Sequence, residues 1–140
     1  MAYTLSTGAR DDAVDRHSTQ LYDNAILEIR TGSPPGPNAA ATGTLLASLT
    51  LPASAHGAPS GGSVSLAGTW QDASADNAGT AAHFRIRASG DANGADATQK
   101  RVEGTVTATG GGGDLTLDNT SIAAGQQVTV SSWTLTKPAS

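Results

Sequence analysis

The stretch "AILEIRT", residues 25–31, decides the fold, because the hydrophobic pattern of the chain changes there to a period of two. Leu27 and Ile29 alternate with Glu28 and Arg30, which is typical of a strand with one buried face. The segment that follows, "TGSPPGPN" (31–38), predicts a rigid loop, because proline fixes φ and donates no backbone hydrogen bond. The pattern therefore predicts a strand that ends at a constrained loop.

Six further segments resemble strands and are separated by turns rich in Gly, Pro, Asn and Asp. They cover residues 44–51, 63–70, 81–88, 101–108, 114–118 and 127–136. In the last segment the apolar parity changes between Val130 and Trp133, which predicts a bulge at Ser131 and Ser132. No strand–helix–strand pattern occurs, so we expect a mainly β fold, an antiparallel β-sandwich of jelly-roll type.

The sequence before this β region predicts an extended arm and one short helix. Val14, Leu21 and Ala25 recur at helical spacing within "ARDDAVDRHSTQLYDN" (9–24) and the residue after it, which indicates one apolar helical face. We therefore expect residues 1–24 to form the N-terminal arm and helix, and residues 25–140 to form the β-sandwich domain.

The composition indicates a folded domain with a thin core. Ala, Thr, Gly and Ser occupy 74 of the 140 positions, whereas Leu, Ile, Val and Phe occupy only 22, yet the net charge is only −4. Burial of apolar surface contributes about 25 cal/mol per Å², and ordering one residue costs about 1–2 kcal/mol. Because these two contributions nearly cancel in a chain so rich in small side chains, further apolar burial at a subunit interface would stabilise the folded protein. We expect an oligomer.

Several functional classes are disfavoured by the residues present. The chain has no cysteine, which excludes disulfides, thiolate catalysis and cysteine zinc sites. We find no serine with a partner base and acid and no phosphate-binding glycine motif, so we expect no enzyme, no cofactor and no metal. The start of the chain does not resemble a secretory signal, no apolar run is long enough for a membrane span, and the acidic charge disfavours a nucleic-acid partner.

The polar and aromatic candidates all have structural interpretations. Arg30, Arg85 and Arg87 share strand parity and predict a cross-strand charge ladder with Glu28 or Glu103. The three histidines, His17, His56 and His83, are not spaced as a metal site, and we expect His83 on the sheet surface. The segment "DANGAD" (91–96) lacks the later Glu of a calcium loop and predicts a hairpin loop. Trp70 and Trp133 are the two largest side chains, and we expect them to be anchors in the core or at an interface.

Four segments together resemble the capsid cement (decoration) proteins of tailed double-stranded-DNA bacteriophages. They are "LEIRTGSPPGPNAAATGTLLASLTL" (27–51), "ADNAGTAAHFRIRASG" (75–90), "RVEGTVTA" (101–108) and "GGDLTLDNTSIAAGQQVTVSSWTLT" (112–136). The resemblance covers about two-thirds of the chain and excludes its first 24 residues. It implies a β-sandwich on the outer surface of the virion head that bridges subunits of the major capsid protein as a homo-oligomeric clamp. We expect this chain to bind as a homodimer.

The contact residues expected for such a clamp come from the arm and the helix. They are Tyr3, Leu5, Val14, Leu21 and Tyr22, with Trp70 as a further candidate. One alternative is a tail or baseplate adsorption module that touches a host glycan through Trp70 or the loop at 34–41. A third hypothesis is a carbohydrate-binding module that belongs to no virion.

Overall fold

A computed structural model describes residues 3–139 of the chain. The protein is mainly β with one short helix, at 11% helix and 33% strand, and its sheet is curled. The helix α1 spans Thr7–Leu21. The strands that follow are β1 (Ile26–Arg30), β2 (Leu45–Thr50), β3 (Ser63–Ser65), β4 (Trp70–Asp72), β5 (Gly79–Thr80), β6 (His83–Arg87), β7 (Val102–Ala108), β8 (Leu115–Leu117), β9 (Ser121–Ile122), β10 (Val128–Val130) and β11 (Thr134–Thr136).

The largest sheet has five strands in the order β2-β1-β6-β7-β8. Its register aligns Leu27 with Ile86 and Ile29 with Phe84, and these four side chains are buried. Because side chains alternate along a strand, the opposite face of the same strands carries charged residues. The switch to a period of two at residue 25 therefore produces one apolar face and one charged face.

Three two-stranded ladders lie outside the main sheet and share its core. They pair β10 with β4, β11 with β3, and β5 with β9, all antiparallel. Trp70, Ile122 and Val128 from these ladders belong to the same buried cluster as Ile29 and Phe84 of the main sheet. The short ladders therefore pack against the apolar face of the main sheet.

The pairing of β7 with β8 is parallel, so the expectation of a wholly antiparallel fold is wrong at this edge. A glycine loop between the two strands makes the tight return possible. Gly110 and Gly112 have φ of 89° and 80°, and a Cβ at Gly111 or Gly113 would lie 2.8 Å from side-chain atoms of Thr107. Glycine tolerates positive φ and such close approach, whereas residues with a Cβ do not.

Two local expectations are corrected by the structure. The change of parity after Val130 is a three-residue break between β10 and β11 rather than a bulge, because the chain leaves its partner β4 and pairs next with β3. His83 is buried rather than on the sheet surface, at 1% exposure. Its Nδ1 lies 2.8 Å from the carbonyl oxygen of Gly32, so the first residue of β6 is tied to the loop after β1.

Candidate interaction surface

The N-terminal arm lies against the C-terminal end of the chain. The backbone N–H of Leu5 donates to the carbonyl of Ala139 at 2.8 Å. Ser6 is the N-cap of α1, and its side-chain oxygen accepts from the N–H of Ala9 at 3.2 Å, which satisfies a donor that the first turn leaves free. Tyr3 is 69% exposed, and within residues 3–139 it is the one large apolar side chain that is exposed. The arm therefore presents an aromatic ring to solvent from an anchored backbone.

Hydrogen bonds fasten the first half of α1 to neighbouring turns. The Arg10 guanidinium donates to the carbonyl of Lys137 at 2.9 Å and to that of Gly61 at 3.0 Å. The N–H of Gly62 donates to an Asp11 carboxylate oxygen at 2.6 Å. Gly62 has a φ of 81°, which favours glycine, and a Cβ there would also displace the Arg10 guanidinium, which would lie 2.7 Å away. These contacts place the arm, α1 and β11 at one end of the molecule.

A groove of about 260 Å³ lies between α1 and β11. Its lining residues are Ala13, Val14, His17, Leu135, Thr136 and Lys137. Lys137 connects the groove to the arm, because Arg10 bonds its carbonyl and Ala139 two residues later bonds Leu5. The arm and this groove together form the candidate interaction surface, which we call the arm face.

The structure separates the six expected contact residues by burial. Tyr3 is exposed, and Leu5 and Leu21 are half-buried. The other three, Val14, Tyr22 and Trp70, are at most 2% exposed. In this structure those three side chains belong to the protein's own core, so a partner can reach only the first three without a conformational change.

An aromatic cluster lies beneath the C-terminal end of α1. It consists of Tyr22, His56, Trp70, Phe84 and Trp133, with ring centroids between 4.9 and 6.4 Å apart for the contacting pairs. Burial raises the pKa of Tyr22 to about 12, so its hydroxyl stays protonated at neutral pH. Burial also lowers the pKa of His56. The cluster includes several of the largest buried side chains of the protein, among them Trp70, Tyr22 and Phe84.

The charged face of the main sheet is covered by two loops, residues 33–41 and 88–96, that arginines hold in place. Arg85 donates to Glu103 at 2.7 Å and to the carbonyls of Gly36 and Ala39 at 3.1 and 2.9 Å. Glu103 also accepts from the N–H of Gly36 at 2.8 Å. The predicted cross-strand ladder is confirmed, and it also binds the proline-rich loop.

The second loop is held by a bidentate pair between Arg101 and Asp91, with distances of 2.6 and 2.7 Å. Both side chains are 1% exposed, and the hydrogen bonds from Arg101 hold the pKa of Asp91 below its usual range. Arg101 also donates to the carbonyl of Gly94 at 2.8 Å. Because both oxygens of Asp91 accept from Arg101 and one also accepts from the N–H of Asn93, "DANGAD" forms a structural loop between β6 and β7.

Glu28 forms the centre of the same network. Its oxygens accept from Arg30 at 3.1 Å, from Arg87 at 2.9 Å and from the amide of Asn93 at 2.9 and 3.0 Å. Burial would raise the pKa of Glu28, but the hydrogen bonds from Arg87 and Arg30 outweigh it and hold the pKa below its ordinary value. The network makes this face rigid and leaves no free carboxylate for acid–base chemistry at Glu28.

Two adjoining polar cavities of about 230 and 300 Å³ lie at the edge between β8 and β10. Leu117, Asp118 and Thr129 line both of them, and we call the two neighbouring cavities together the cleft between β8 and β10. The rest of the lining is hydroxyl and amide side chains with apolar positions between them, and neither cavity has a histidine, lysine or cysteine in its lining. Such a lining can donate and accept hydrogen bonds to a polar ligand.

The described residues, 3–139, contain no group of three or more His, Cys, Asp or Glu side chains that could hold a metal ion. Within the same range, α1 is too short and too polar to cross a membrane. Sequence reasoning missed the loop anchors Asp91, Asn93 and Arg101. The sequence signal for Asp91 and Asn93 is the clustering of Asp and Asn around Gly94, which predicts a hairpin loop but not the residues that hold it in place.

Comparison with models of known protein families finds no match. Neither the curated proteins nor the solved structures include one that is significantly similar to this chain.

Proposed function

We propose that the protein is a capsid cement protein of a tailed double-stranded-DNA phage, which decorates the outer surface of the head by bridging major capsid subunits. The observation that supports this proposal is where the four resembling segments lie in the fold. They contribute every strand of the main sheet, including nearly all of β1. The resemblance therefore concerns one continuous structural unit rather than scattered turns.

The rigidity of the domain suits a clamp. A protein that resists separation of two capsid subunits must transmit force without deforming, and buried ion pairs with several hydrogen bonds fix loop geometry. Arg85 and Arg101 hold the two covering loops through both side-chain and backbone partners. We propose that this face keeps its shape under load while the arm face makes the capsid contact.

Within this proposal the fold is a sandwich of jelly-roll type, and the protein binds as a homodimer. The short ladders that pack on the apolar face of the main sheet supply a second layer. The dimer is favoured by the thin core, because apolar burial at a subunit interface adds to stability. An experimental structure of the bound form tests the layer arrangement, and sedimentation equilibrium tests the dimer.

A second candidate is a tail or baseplate module that binds a host glycan, and the cleft between β8 and β10 favours it. Asp118, Asn119, Gln127 and Thr129 offer carboxylate, amide and hydroxyl groups there. Trp70 cannot stack on a sugar in this structure because it is fully buried. The glycan hypothesis therefore moves from Trp70 to the cleft.

Binding to purified heads that lack the protein tests the proposed contact. Tyr3→Ser removes the exposed ring, and we expect at least about tenfold weaker binding, since loss of an aromatic hot-spot residue costs about 2 kcal/mol or more and a factor of ten corresponds to about 1.4 kcal/mol. Thr4→Ala, at the neighbouring exposed position, is the matched control and should bind like the unmodified protein. Both variants should unfold at unchanged urea concentration, because neither residue contributes to the core. If Tyr3→Ser binds as tightly as the unmodified protein, the exposed ring of the arm does not contribute to the capsid contact.

A further inference from the structure

The attachment of α1 to the rest of the protein depends on few buried groups. Within the helix only Val14 and Ser18 are buried, and Tyr22 follows at the C-cap. The single buried side-chain hydrogen bond of α1 among the described residues joins Ser18 Oγ to His56 Nδ1, at 2.7 Å. Arg10 and Asp11 fasten the first half of α1, whereas the buried hydrogen bond of its second half depends on the state of one imidazole.

His56 lies in surroundings that suit its neutral form. It is 7% exposed, and its ring centroid is 4.9 Å from that of Tyr22 and 5.5 Å from that of Trp70. One ring nitrogen bonds Ser18, whereas the other, Nε2, is buried with no hydrogen-bond partner. A protonated ring would carry hydrogens on both nitrogens, and the one on Nε2 would have no acceptor.

We propose that His56 is a pH-sensitive contact whose protonation releases α1 and the arm from the domain while the main sheet stays folded. A buried cation without a full set of partners is costly. Release of the helix exposes the ring to water, where the cation is hydrated. The released state would expose the aromatic cluster and take apart the arm face, because α1 forms one wall of its groove.

The charged and titratable groups around His56 do not supply the missing acceptor. Asp23 favours the charged ring and His17 opposes it, but Asp23 makes no hydrogen bond to Nε2 in this structure, and one of its oxygens holds the N–H of Ala55 at 2.9 Å. Tyr22 stays neutral, and Trp70 offers only its ring, since its N–H donates to the carbonyl of Ala55. Aromatic rings attract a nearby cation but do not accept the Nε2 hydrogen as a carboxylate would.

The carboxylates of the main-sheet network keep their charge in the same pH range. Glu28 and Asp91, which bind its arginines, have pKa values below their usual range. They therefore keep their charge well below pH 6. The sign for His56 is opposite: burial lowers its pKa in the docked state, so docking is full at neutral pH and weakens as pH falls below about 6.5, the pKa of a free imidazole.

Hydrogen exchange of the full chain at pH 7.5, 6.5, 5.5 and 4.5, corrected for the intrinsic pH dependence of exchange, tests the proposal. Protection of the α1 amides should fall with pH and approach about a tenfold loss per pH unit once docked His56 remains neutral and the released ring is charged. Protection of β1 should stay constant; β6 is not used as the reference, because it contains the buried His83. His56→Gln keeps a hydrogen-bonding side chain but does not titrate, and it should abolish the dependence. His17 is the second imidazole beside this helix: it lines the groove between α1 and β11, and burial lowers its pKa too. His17→Gln removes that contribution and should retain most of the dependence.

Three results would overturn the proposal: unchanged α1 protection across this range, the same loss in His56→Gln, or parallel loss in α1 and β1. If His56→Gln does not fold, titration of the His56 ring by NMR in the unmodified protein replaces it. The imidazole midpoint must then lie below 6.5 and agree with the pH dependence of α1 exchange. Disagreement between the two contradicts the mechanism. None of these measurements requires a capsid, so they are independent of the proposed function.

Discussion

Replacement of Glu103 by Gln tests the role of the buried ion-pair network most sharply. Its side chain is 3% exposed and that of its partner Arg85 is 1% exposed. The change keeps the volume but leaves the guanidinium without its carboxylate, and it weakens the bond to the N–H of Gly36. Removing one partner of a buried pair costs about 3–5 kcal/mol, because an uncompensated charge stays buried.

That cost is a large fraction of the roughly 5–15 kcal/mol by which native proteins are stable. Urea unfolding followed by tryptophan fluorescence measures it. With a slope of about 1.5 kcal/mol per M, the midpoint should fall by roughly 2–3 M. The control is Asp12→Asn, which breaks the exposed pair with Arg16, whose side chains are 69% and 78% exposed. Exposed pairs contribute about 0–1 kcal/mol, so its midpoint should change by well under 1 M.

A double variant distinguishes the cost of losing the ion pair from the cost of leaving the Arg85 charge buried without a partner. Arg85→Met together with Glu103→Leu removes both charges, and such replacements are often neutral or stabilising. Here the guanidinium also binds the carbonyls of Gly36 and Ala39, so we expect the double variant to recover only part of the loss. A urea midpoint for Glu103→Gln within about 0.3 M of that of the unmodified protein, roughly a tenth of the expected shift, would refute the reasoning.

Three further predictions follow from individual contacts. Gly111→Ala should lower stability by about 1–3 kcal/mol, because its Cβ would lie 2.8 Å from a neighbouring side chain, whereas Gly94→Ala, with nothing within 4 Å, should be nearly neutral in the same urea assay. Trp70→Ala should cost about 3–5 kcal/mol in that assay, because the ring is fully buried. The hydrogen bonds of Arg101 lower the pKa of Asp91, so the stability they give is present above about pH 4 and is lost as pH falls through the lowered pKa. Asp91→Asn should therefore lower the urea midpoint at pH 7 and flatten its fall below pH 4.

The apolar half of the fold could be predicted from the sequence because it follows local periodicity. Leu27 and Ile29 lie on the buried face of β1. In the expected ladder, Glu28 between them accepts from Arg87, and Arg85 donates to Glu103. The helix was also expected, and it spans Thr7–Leu21. These features depend on spacings of two, three or four residues, which a sequence displays directly.

The contacts of loops could not be predicted in this way. Asn93 reaches Glu28 across 65 positions of the chain, and Ser18 reaches His56 across 38; neither pairing leaves a periodic signal. The parallel return of β8 depends on how closely Gly111 approaches Thr107, which four successive glycines permit but do not specify. Burial of Val14, Tyr22 and Trp70 likewise depends on which elements cover them.

The number of copies of the protein in purified phage particles tests the proposed function most directly. Quantitative mass spectrometry against the major capsid protein measures it. We predict a count comparable with that of the capsid subunits, because a cement protein bridges neighbouring subunits over the whole head. A handful of copies per particle would contradict the proposal and favour the glycan-binding module, and absence from particles would contradict both.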